Sequence, residues 1–226
     1  MHIKQMLGEV ASLNVISKKK FKKKYFDKFL QKREPGMSSR QIVDLSSRPL
    51  CITAQKSNPI DLAKAVSYSC EFDINQFQID MFIQFKIAKP HSILTAVEKR
   101  QCEFFAGRYC ARQALNSINC VSQQVPIGDN RAPIWPEGIV GSITHNDKTA
   151  ICILAHQRDF LSLGIDIENW MTWSTAQSIR SAILTTNENR WLKEQAWPMT
   201  HTLTLLFSAK ESLFKALYPE VKTFFD

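Results

Sequence analysis

The chain has 226 residues, of which 44% are hydrophobic, enough to bury the core of one compact unit or of two small halves. Its net charge of +8 comes mainly from residues 1–34, where ten lysines and arginines stand against three acidic residues. The charge therefore gives no ground for a basic, nucleic-acid-binding face on the rest of the chain.

The cysteines and the lack of long apolar runs indicate where the protein works. The cysteines form no CxxC pair, and most stand in apolar segments, where a thiol behaves as a small hydrophobic group. No apolar run approaches the ~20 residues that span a bilayer, and the N-terminus lacks the charge order of a signal peptide. We expect reduced thiols and a cytoplasmic location.

Residues 1–40 contain the lysine-rich run KKKFKKK, followed by a Pro-Gly-Ser break. Because like charges repel, we expect a basic, flexible N-terminal extension. The alternative is weak electrostatic attraction of this arm to nucleic acid, to an anionic membrane surface or to an acidic protein, and the sequence leaves these partners open. No dedicated nucleic-acid site is expected.

The first long helix is predicted over Ala96–Ile118, after short strands and turns between 41 and 90. Its apolar residues recur at spacings of three and four, which is typical of a helix with one buried face. Arg100, Phe104, Arg108 and Arg112 follow one another at intervals of four and form one ridge. Taken alone, this ridge favours arginines whose stems cover the edge of a core helix.

A loop rich in Pro, Gly, Asp and Asn follows over 119–136 and carries Arg131. Two β-rich runs come next, Ile139–Thr144 and Thr149–Ala155, and the turn HNDK between them predicts a hairpin. A histidine at the end of a strand is more often structural than catalytic. The position of His145 at a loop mouth nevertheless keeps it available to a ligand.

The segment Leu161–Glu168 alternates between apolar and polar residues, which predicts a strand. Period two places Asp166 and Glu168 on the same face, about 7 Å apart along the strand, a gap that one hydrated metal ion bridges. A strand with a polar, half-exposed outer face is an equally good interpretation of this segment alone.

Residues 174–196 are typical of a polar helical pair, and a second long helix is predicted over His201–Leu217, stopping before Pro219. Lys210 lies within the apolar stripe of that helix, so it needs an anionic partner. Glu211 and Lys215 stand four residues apart, the spacing of an ordinary surface ion pair. A third carboxylate beside lysines indicates a divalent metal that faces a phosphate.

Five segments in order resemble one family: CEFDINQF, KRQCEFFAGRYCARQAL, PIWPEGIVGSITHN, GIDIE and FSAKESLFKALYP. From about Ser69 to Phe225 the chain is similar to the 4′-phosphopantetheinyl transferases of the siderophore-synthase type, the enterobactin and surfactin group. The resemblance implies transfer of the phosphopantetheine arm of coenzyme A to a serine of an apo carrier protein, with release of adenosine 3′,5′-bisphosphate. A peptidyl or aryl carrier of a siderophore synthase is the partner it implies.

The resemblance also implies roles for individual residues. Asp166, Glu168 and Glu211 match the carboxylates that hold Mg²⁺, and Glu211 and Lys215 are the implied catalytic pair. The implied contacts to coenzyme A are Arg100, Arg108, Arg131, Thr144, His145, Lys210 and Lys215. Among them, His145 matches the histidine that contacts the 3′-phosphate, and the two lysines match those near the phosphates.

We expect an α+β protein of two pseudo-symmetric halves, each a long helix on a small antiparallel sheet, with the ligand in the cleft between them. The first half covers 41–158 and the second 159–226, which is shorter at its C-terminus than the family leads us to expect. Because one chain carries both halves, a monomer is expected.

The chain departs from the family pattern at Asn146, in its lysine-rich start and at its end. Two other function classes stay open. One is a non-catalytic protein whose basic arm binds nucleic acid or membrane. The other is a different Mg²⁺-dependent enzyme that cleaves phosphates, such as a hydrolase or nuclease.

Overall fold

The computed structural model describes residues 12–17 and 48–221. The strands are β1 (Ser12–Ser17), β2 (Ile52–Ser57), β3 (Ala65–Phe72), β4 (Ile139–His145), β5 (Thr149–His156) and β6 (Leu163–Glu168). The helices are α1 (Met81–Gln84), α2 (His91–Leu94), α3 (Glu98–Ser117), α4 (Trp173–Ile183), α5 (Thr186–Lys193) and α6 (Met199–Val221). The predicted α+β class is confirmed.

The larger sheet is antiparallel throughout and has the strand order β2-β3-β5-β4. Strand β5 is covered on both faces, so its residues alternate between two cores. Cys152 and Leu154 belong to the core beneath α3, whereas Ile151 and Ile153 belong to a second core that β6 also lines. The sheet therefore separates the long helix α3 from β6.

Helix α3 supplies more buried residues to the first core than any other element, and it closely matches its predicted bounds. Phe104, Ala111 and Leu115 of the predicted apolar stripe are buried. A side chain at Gly107 would meet Ile143 Cγ2 at 3.0 Å, so the small residue lets the helix lie close to β4. All the cysteines are free thiols, and most of them lie buried in this half.

Strand β6 pairs with β1 in a two-stranded antiparallel sheet, with Ser12 opposite Glu168 and Ser17 opposite Leu163. Strand β1 lies within the segment 1–40, for which the sequence predicts an extension and no strand. A six-residue strand gives a weak alternation signal, and its partner lies about 150 residues away in the sequence. The lysine run of that segment lies outside the described residues, as does the end of the chain after Val221.

Helix α6 packs across the carboxylate face of β6. A side chain at Gly164 would overlap the carbonyl oxygen of Ser212 and lie 2.8 Å from the backbone nitrogen of Ala216. Both faces of β6 are covered, so the alternative interpretation of a strand with a half-exposed outer face is wrong. The strand also begins at Leu163, two residues later than predicted, and Leu161 ahead of it is 64% exposed.

The predicted stop of the last helix before Pro219 is also wrong, because α6 continues to Val221 with Pro219 inside it. A proline lacks one amide hydrogen, which near the end of a helix removes a single backbone hydrogen bond. The predicted helical pair is confirmed as α4 and α5. Thr172 caps the first of these, and a capping box formed by Thr185 and Glu188 begins the second.

The two sheets meet where β6 lies beside β4, and side chains replace a backbone ladder there. The amide of Ile165 donates to Ser142 Oγ and the amide of Ile167 donates to Thr144 Oγ1, each at 3.2 Å. Both partners advance by two residues together, so the strands run in the same direction. This junction, from Ser142 to Thr144 and from Ile165 to Ile167, positions the site described below.

Within the described residues, no helix combines the length and the apolar character needed to cross a membrane.

Candidate functional site

The centre of the site is the carboxylate of Asp166, which is 3% exposed on β6. Its Oδ1 accepts a hydrogen bond from Lys215 Nζ at 2.6 Å and one from Thr144 Oγ1 at 3.1 Å. Lys215 comes from α6 and Thr144 from β4, so three separate elements converge here. The ammonium compensates for the burial of the carboxylate, which would be costly without a partner.

The hydroxyl of Thr144 uses its full hydrogen-bonding capacity. It donates to Asp166, accepts from the amide of Ile167 at 3.2 Å and lies 3.4 Å from Lys215 Nζ. A hydroxyl has one donor and two acceptor positions, so this arrangement leaves none unfilled. Thr144 therefore fixes β6 and the buried ion pair to the end of β4.

Glu168 and Glu211 complete an acidic cluster with Asp166, and the environment disfavours their charged forms. Burial raises the pKa of Glu168 to about 7, with added repulsion from Asp166 and Glu211 and an opposing effect from Lys215. Burial also raises the pKa of Glu211, and Lys215 opposes that rise. Carboxylates that repel one another in a partly buried place are relieved by a cation.

Across the described residues, no group of three or more His, Cys, Asp or Glu side chains converges closely enough to hold a metal ion in this arrangement. The donor chemistry still fits Mg²⁺, which binds oxygen ligands and is held by one or two carboxylates together with water and substrate phosphates. Asp166 Oδ2 is buried without a hydrogen-bond partner in the described part of the chain. An unsatisfied carboxylate oxygen is the kind of atom that a hard cation binds.

Thr144 and His145 are neighbours on β4, so the pleat directs their side chains to opposite sides. Thr144 contacts Asp166, whereas His145 reaches α3, where Arg100 Nη1 lies 3.0 Å from its Nε2. Glu103 is the third member of this group, with Oε2 3.6 Å from Arg100 Nη1 and 3.9 Å from His145 Nδ1. Arg100 and His145, two of the implied contacts to coenzyme A, therefore lie together.

Arg108 lies about two turns after Arg100 along the predicted ridge of α3. Its guanidinium carbon is 4.6 Å from the centre of the Phe104 ring, and burial lowers its pKa to about 10. Its Nε is buried without a hydrogen-bond partner among the described residues. Phe104 also lines a neighbouring cavity of about 200 Å³, together with Lys89 and Pro126.

Arg131 is exposed in the loop between α3 and β4. Both Asn130 and Arg131 have positive φ values, 49° and 66°, which non-glycine residues seldom adopt. Asn130 Nδ2 donates to the hydroxyl of Tyr218 on α6 at 2.5 Å. The loop that carries Arg131 is thereby tied to the helix that carries Glu211 and Lys215.

Lys210 does not join the cluster around Asp166. Its Nζ donates to Glu188 Oε2 at 2.8 Å and to the carbonyl oxygen of Ile183 at 2.5 Å. The anionic partner required by its place in an apolar stripe is therefore a carboxylate of this chain. Lys210 joins α6 to the connection between α4 and α5.

Two family models match this chain. A family model described as the 4′-phosphopantetheinyl transferase N-terminal domain matches residues 89–155, and one described as the 4′-phosphopantetheinyl transferase superfamily matches residues 162–226. Together they cover more than half of the chain, including α3, the β4–β6 junction and α6. The chain belongs to the 4′-phosphopantetheinyl transferase superfamily.

Curated relatives support this membership. Enterobactin synthase component D of Salmonella typhi is 39% identical over 135 residues, which cover 58% of this chain and 55% of that protein. The 4′-phosphopantetheinyl transferase Npt of Nocardia iowensis is 38% identical over 132 residues, or 58% of each chain. Enterobactin synthase component D of Escherichia coli K12 is 39% identical over 131 residues, covering 56% of this chain and 60% of that protein. The chain thus spans little more than half the length of these relatives.

Glu103 is the residue of this region that sequence reasoning missed. It stands one turn before Gly107 on the buried side of α3, and three residues after Arg100. The signal available in the sequence is its i,i+3 and i,i+4 spacing to Arg100 and Lys99, which is common on helix surfaces and has no functional meaning by itself. Only the fold brings His145 to the same carboxylate.

Proposed function

We propose that this chain transfers the 4′-phosphopantetheine arm of coenzyme A to a serine of an apo carrier protein and releases adenosine 3′,5′-bisphosphate. The observation that carries the proposal is the buried Asp166–Lys215–Thr144 group at the end of β4. The next residue of that strand, His145, contacts Arg100. Coenzyme A carries a pyrophosphate and a further phosphate. We assign the pyrophosphate to the group around Asp166 and the further phosphate to the group of Arg100 and His145.

Asp166, Glu168 and Glu211 would hold Mg²⁺, whose charge would neutralise the pyrophosphate of coenzyme A. Support comes from the unsatisfied Oδ2 of Asp166 and from the raised pKa values of the two glutamates. Side chains of the protein supply the proposed base, the group that acts on the departing phosphate and the other contacts to coenzyme A.

Glu211 is the proposed base that accepts the proton of the carrier serine, directly or through a bound water molecule. The carboxylate of Glu211 lies on α6 close enough to Lys215 and Asp166 to interact with their charges, next to the proposed site of transfer. Lys215, which donates to Asp166 and Thr144, is proposed to neutralise or protonate the departing phosphate. Arg100, Arg108, Arg131 and His145 are the proposed contacts to the nucleotide end of coenzyme A.

Relatives named enterobactin synthase component D favour a peptidyl or aryl carrier of a siderophore synthase as the second substrate. The proposal also includes action in the cytoplasm as a monomer. A non-catalytic binding protein and another phosphate-cleaving enzyme are separated from this proposal by the experiment below.

The test is incubation of the full chain with coenzyme A, MgCl₂ and apo peptidyl, aryl and acyl carriers, followed by intact-mass measurement. We expect one carrier class to gain the mass of a single phosphopantetheine arm. A carrier whose acceptor serine is replaced by alanine should gain nothing. Cleavage of coenzyme A without any carrier would favour the hydrolase alternative, and no gain on any carrier would contradict the proposal.

Glu211→Gln should lower the transfer rate by at least about a hundredfold, because the amide cannot accept the serine proton. Binding of coenzyme A, measured by calorimetry, should persist. Glu194→Gln makes the same change at an exposed position after α5 and should transfer like the parent chain. Full activity of Glu211→Gln would remove Glu211 from the role of base.

A further inference from the structure

Arg100, Glu103 and His145 form a group whose hydrogen-bonding arrangement has no role in the proposed transfer reaction as described so far. A guanidinium has no acceptor position, so in the 3.0 Å contact Arg100 Nη1 donates and Nε2 of His145 accepts. Nε2 is therefore unprotonated, and the neutral imidazole carries its proton on Nδ1. That nitrogen is the one that faces Glu103 Oε2, at 3.9 Å.

This arrangement is suited to a free protein but not to a bound phosphate. A phosphate oxygen only accepts hydrogen bonds at neutral pH, so an unprotonated Nε2 would repel it. For Nε2 of His145 to donate to a phosphate, Arg100 must leave Nε2, and Nε2 must gain a proton from solvent. The resulting imidazolium then has an N–H toward the ligand and a second N–H toward Glu103.

The charges that face His145 come from several elements. Arg100 and Glu103 lie on α3, Lys215 lies on α6, and Asp147 lies in the turn after β4. Burial lowers the pKa of His145 below its usual value, Glu103 opposes the change, and Arg100 and Lys215 add to it. Glu103 has only 13% of its side chain exposed, so its charge is weakly screened by water.

We propose that Glu103 is a positioning residue that lets His145 change from a neutral hydrogen-bond acceptor of Arg100 into a protonated donor toward the 3′-phosphate of coenzyme A. This inference rests on the proposed function. The proton comes from solvent on binding and returns when the ligand leaves, so no other group is oxidised, reduced or transferred. Binding of coenzyme A is therefore coupled to proton uptake, whereas binding of dephospho-coenzyme A, which lacks the 3′-phosphate, is not.

The first test is calorimetry of the full chain with MgCl₂ at pH 7.5 in two buffers of different ionisation enthalpy, which gives the protons taken up per ligand bound. We expect close to one proton with coenzyme A and none with dephospho-coenzyme A. Glu103→Gln should abolish the uptake and weaken coenzyme A binding about tenfold, with little effect on dephospho-coenzyme A. Glu98→Gln, an exposed change on the same helix, should behave like the parent chain.

The second test is NMR of the free protein, with the His145 signals assigned from a His145→Asn variant. The parent chain should show the Nδ1–H tautomer, and Glu103→Gln should lower the pKa of His145 further. An unchanged pKa in Glu103→Gln, or tight coenzyme A binding without Glu103-dependent uptake, contradicts the inference alone. A chain that binds no coenzyme A contradicts the proposed function and the inference together.

Discussion

A buried carboxylate requires a compensating charge, and Asp166 shows how this chain provides one. Only 4% of its side chain is exposed, and the ammonium of Lys215 lies 2.6 Å from Oδ1. Lys215 itself is 29% exposed, which reduces its own cost of burial. The acidic cluster is therefore stable in the protein by itself, with one of its carboxylates already neutralised.

Lys215→Met should lower the free energy of unfolding by about 3 kcal/mol, because it leaves a buried carboxylate unpaired. Chemical denaturation followed by circular dichroism measures this loss. The double variant Asp166→Asn, Lys215→Met should recover part of it, since the charge that needs a partner is gone. Lys64→Met, which removes an exposed ion pair with Asp159, should cost far less. Equal losses in the two single variants would contradict the role of burial.

At the scale of elements, the contact between β6 and α6 depends on Gly164. Any Cβ there overlaps the backbone of α6, which cannot rotate away as a side chain does. Glycine on the carboxylate face thus brings the helix of Glu211 and Lys215 against the strand of Asp166.

Gly164→Ala should destabilise the fold by about 3 kcal/mol through this overlap, as measured by denaturant unfolding. Gly138→Ala is the matched control, because its Cβ meets nothing within 4 Å and only its positive φ of 74° opposes the change. Strain of that kind costs about 1 kcal/mol. A Gly164→Ala loss no larger than the control would show that β6 and α6 separate easily.

Lys210 links α6 to α5 through Glu188, which is also the residue that closes the capping box of α5. Lys210→Met should therefore raise amide hydrogen exchange across α4 and α5 while β6 stays protected. Glu188→Gln should give the same pattern, because it weakens the other partner of the ion pair. Faster exchange at β6 would mean that Lys210 supports the acidic cluster instead.

At the scale of the whole molecule, sequence patterns predicted which residues share a face of one helix or strand. Contacts between different elements depend on tertiary packing, which those patterns do not contain. Period two correctly placed Asp166 on the face that α6 covers, and periodicity of three and four correctly buried Phe104 and Leu115. The partner of Lys210 lies 22 residues away on another helix, so no local pattern could identify it. The pairing of Arg100 with His145 likewise depends on how α3 crosses β4.

The basic arm is testable without disturbing the described fold. Residues 18–24 contain six lysines and follow β1 directly, so their replacement by glutamine spares the strand, whereas deletion of 1–34 would remove it. We expect the transfer rate to stay unchanged in the substituted chain, because the charges of the candidate site lie on α3, β4, β6 and α6. A lower rate with weaker salt dependence would assign the lysines to recognition of the carrier.

Because β1 pairs with β6, this sheet cannot form until both strands have been synthesised. Residues 12–17 are translated before their hydrogen-bonding partners at 163–168, which leave the ribosome roughly 150 residues later. During that interval β1 has no β6 to pair with, and the closure of so long a loop is slow. Strand β1 is therefore synthesised well before its partner, and the acidic strand of the site completes its two-stranded sheet only after that interval.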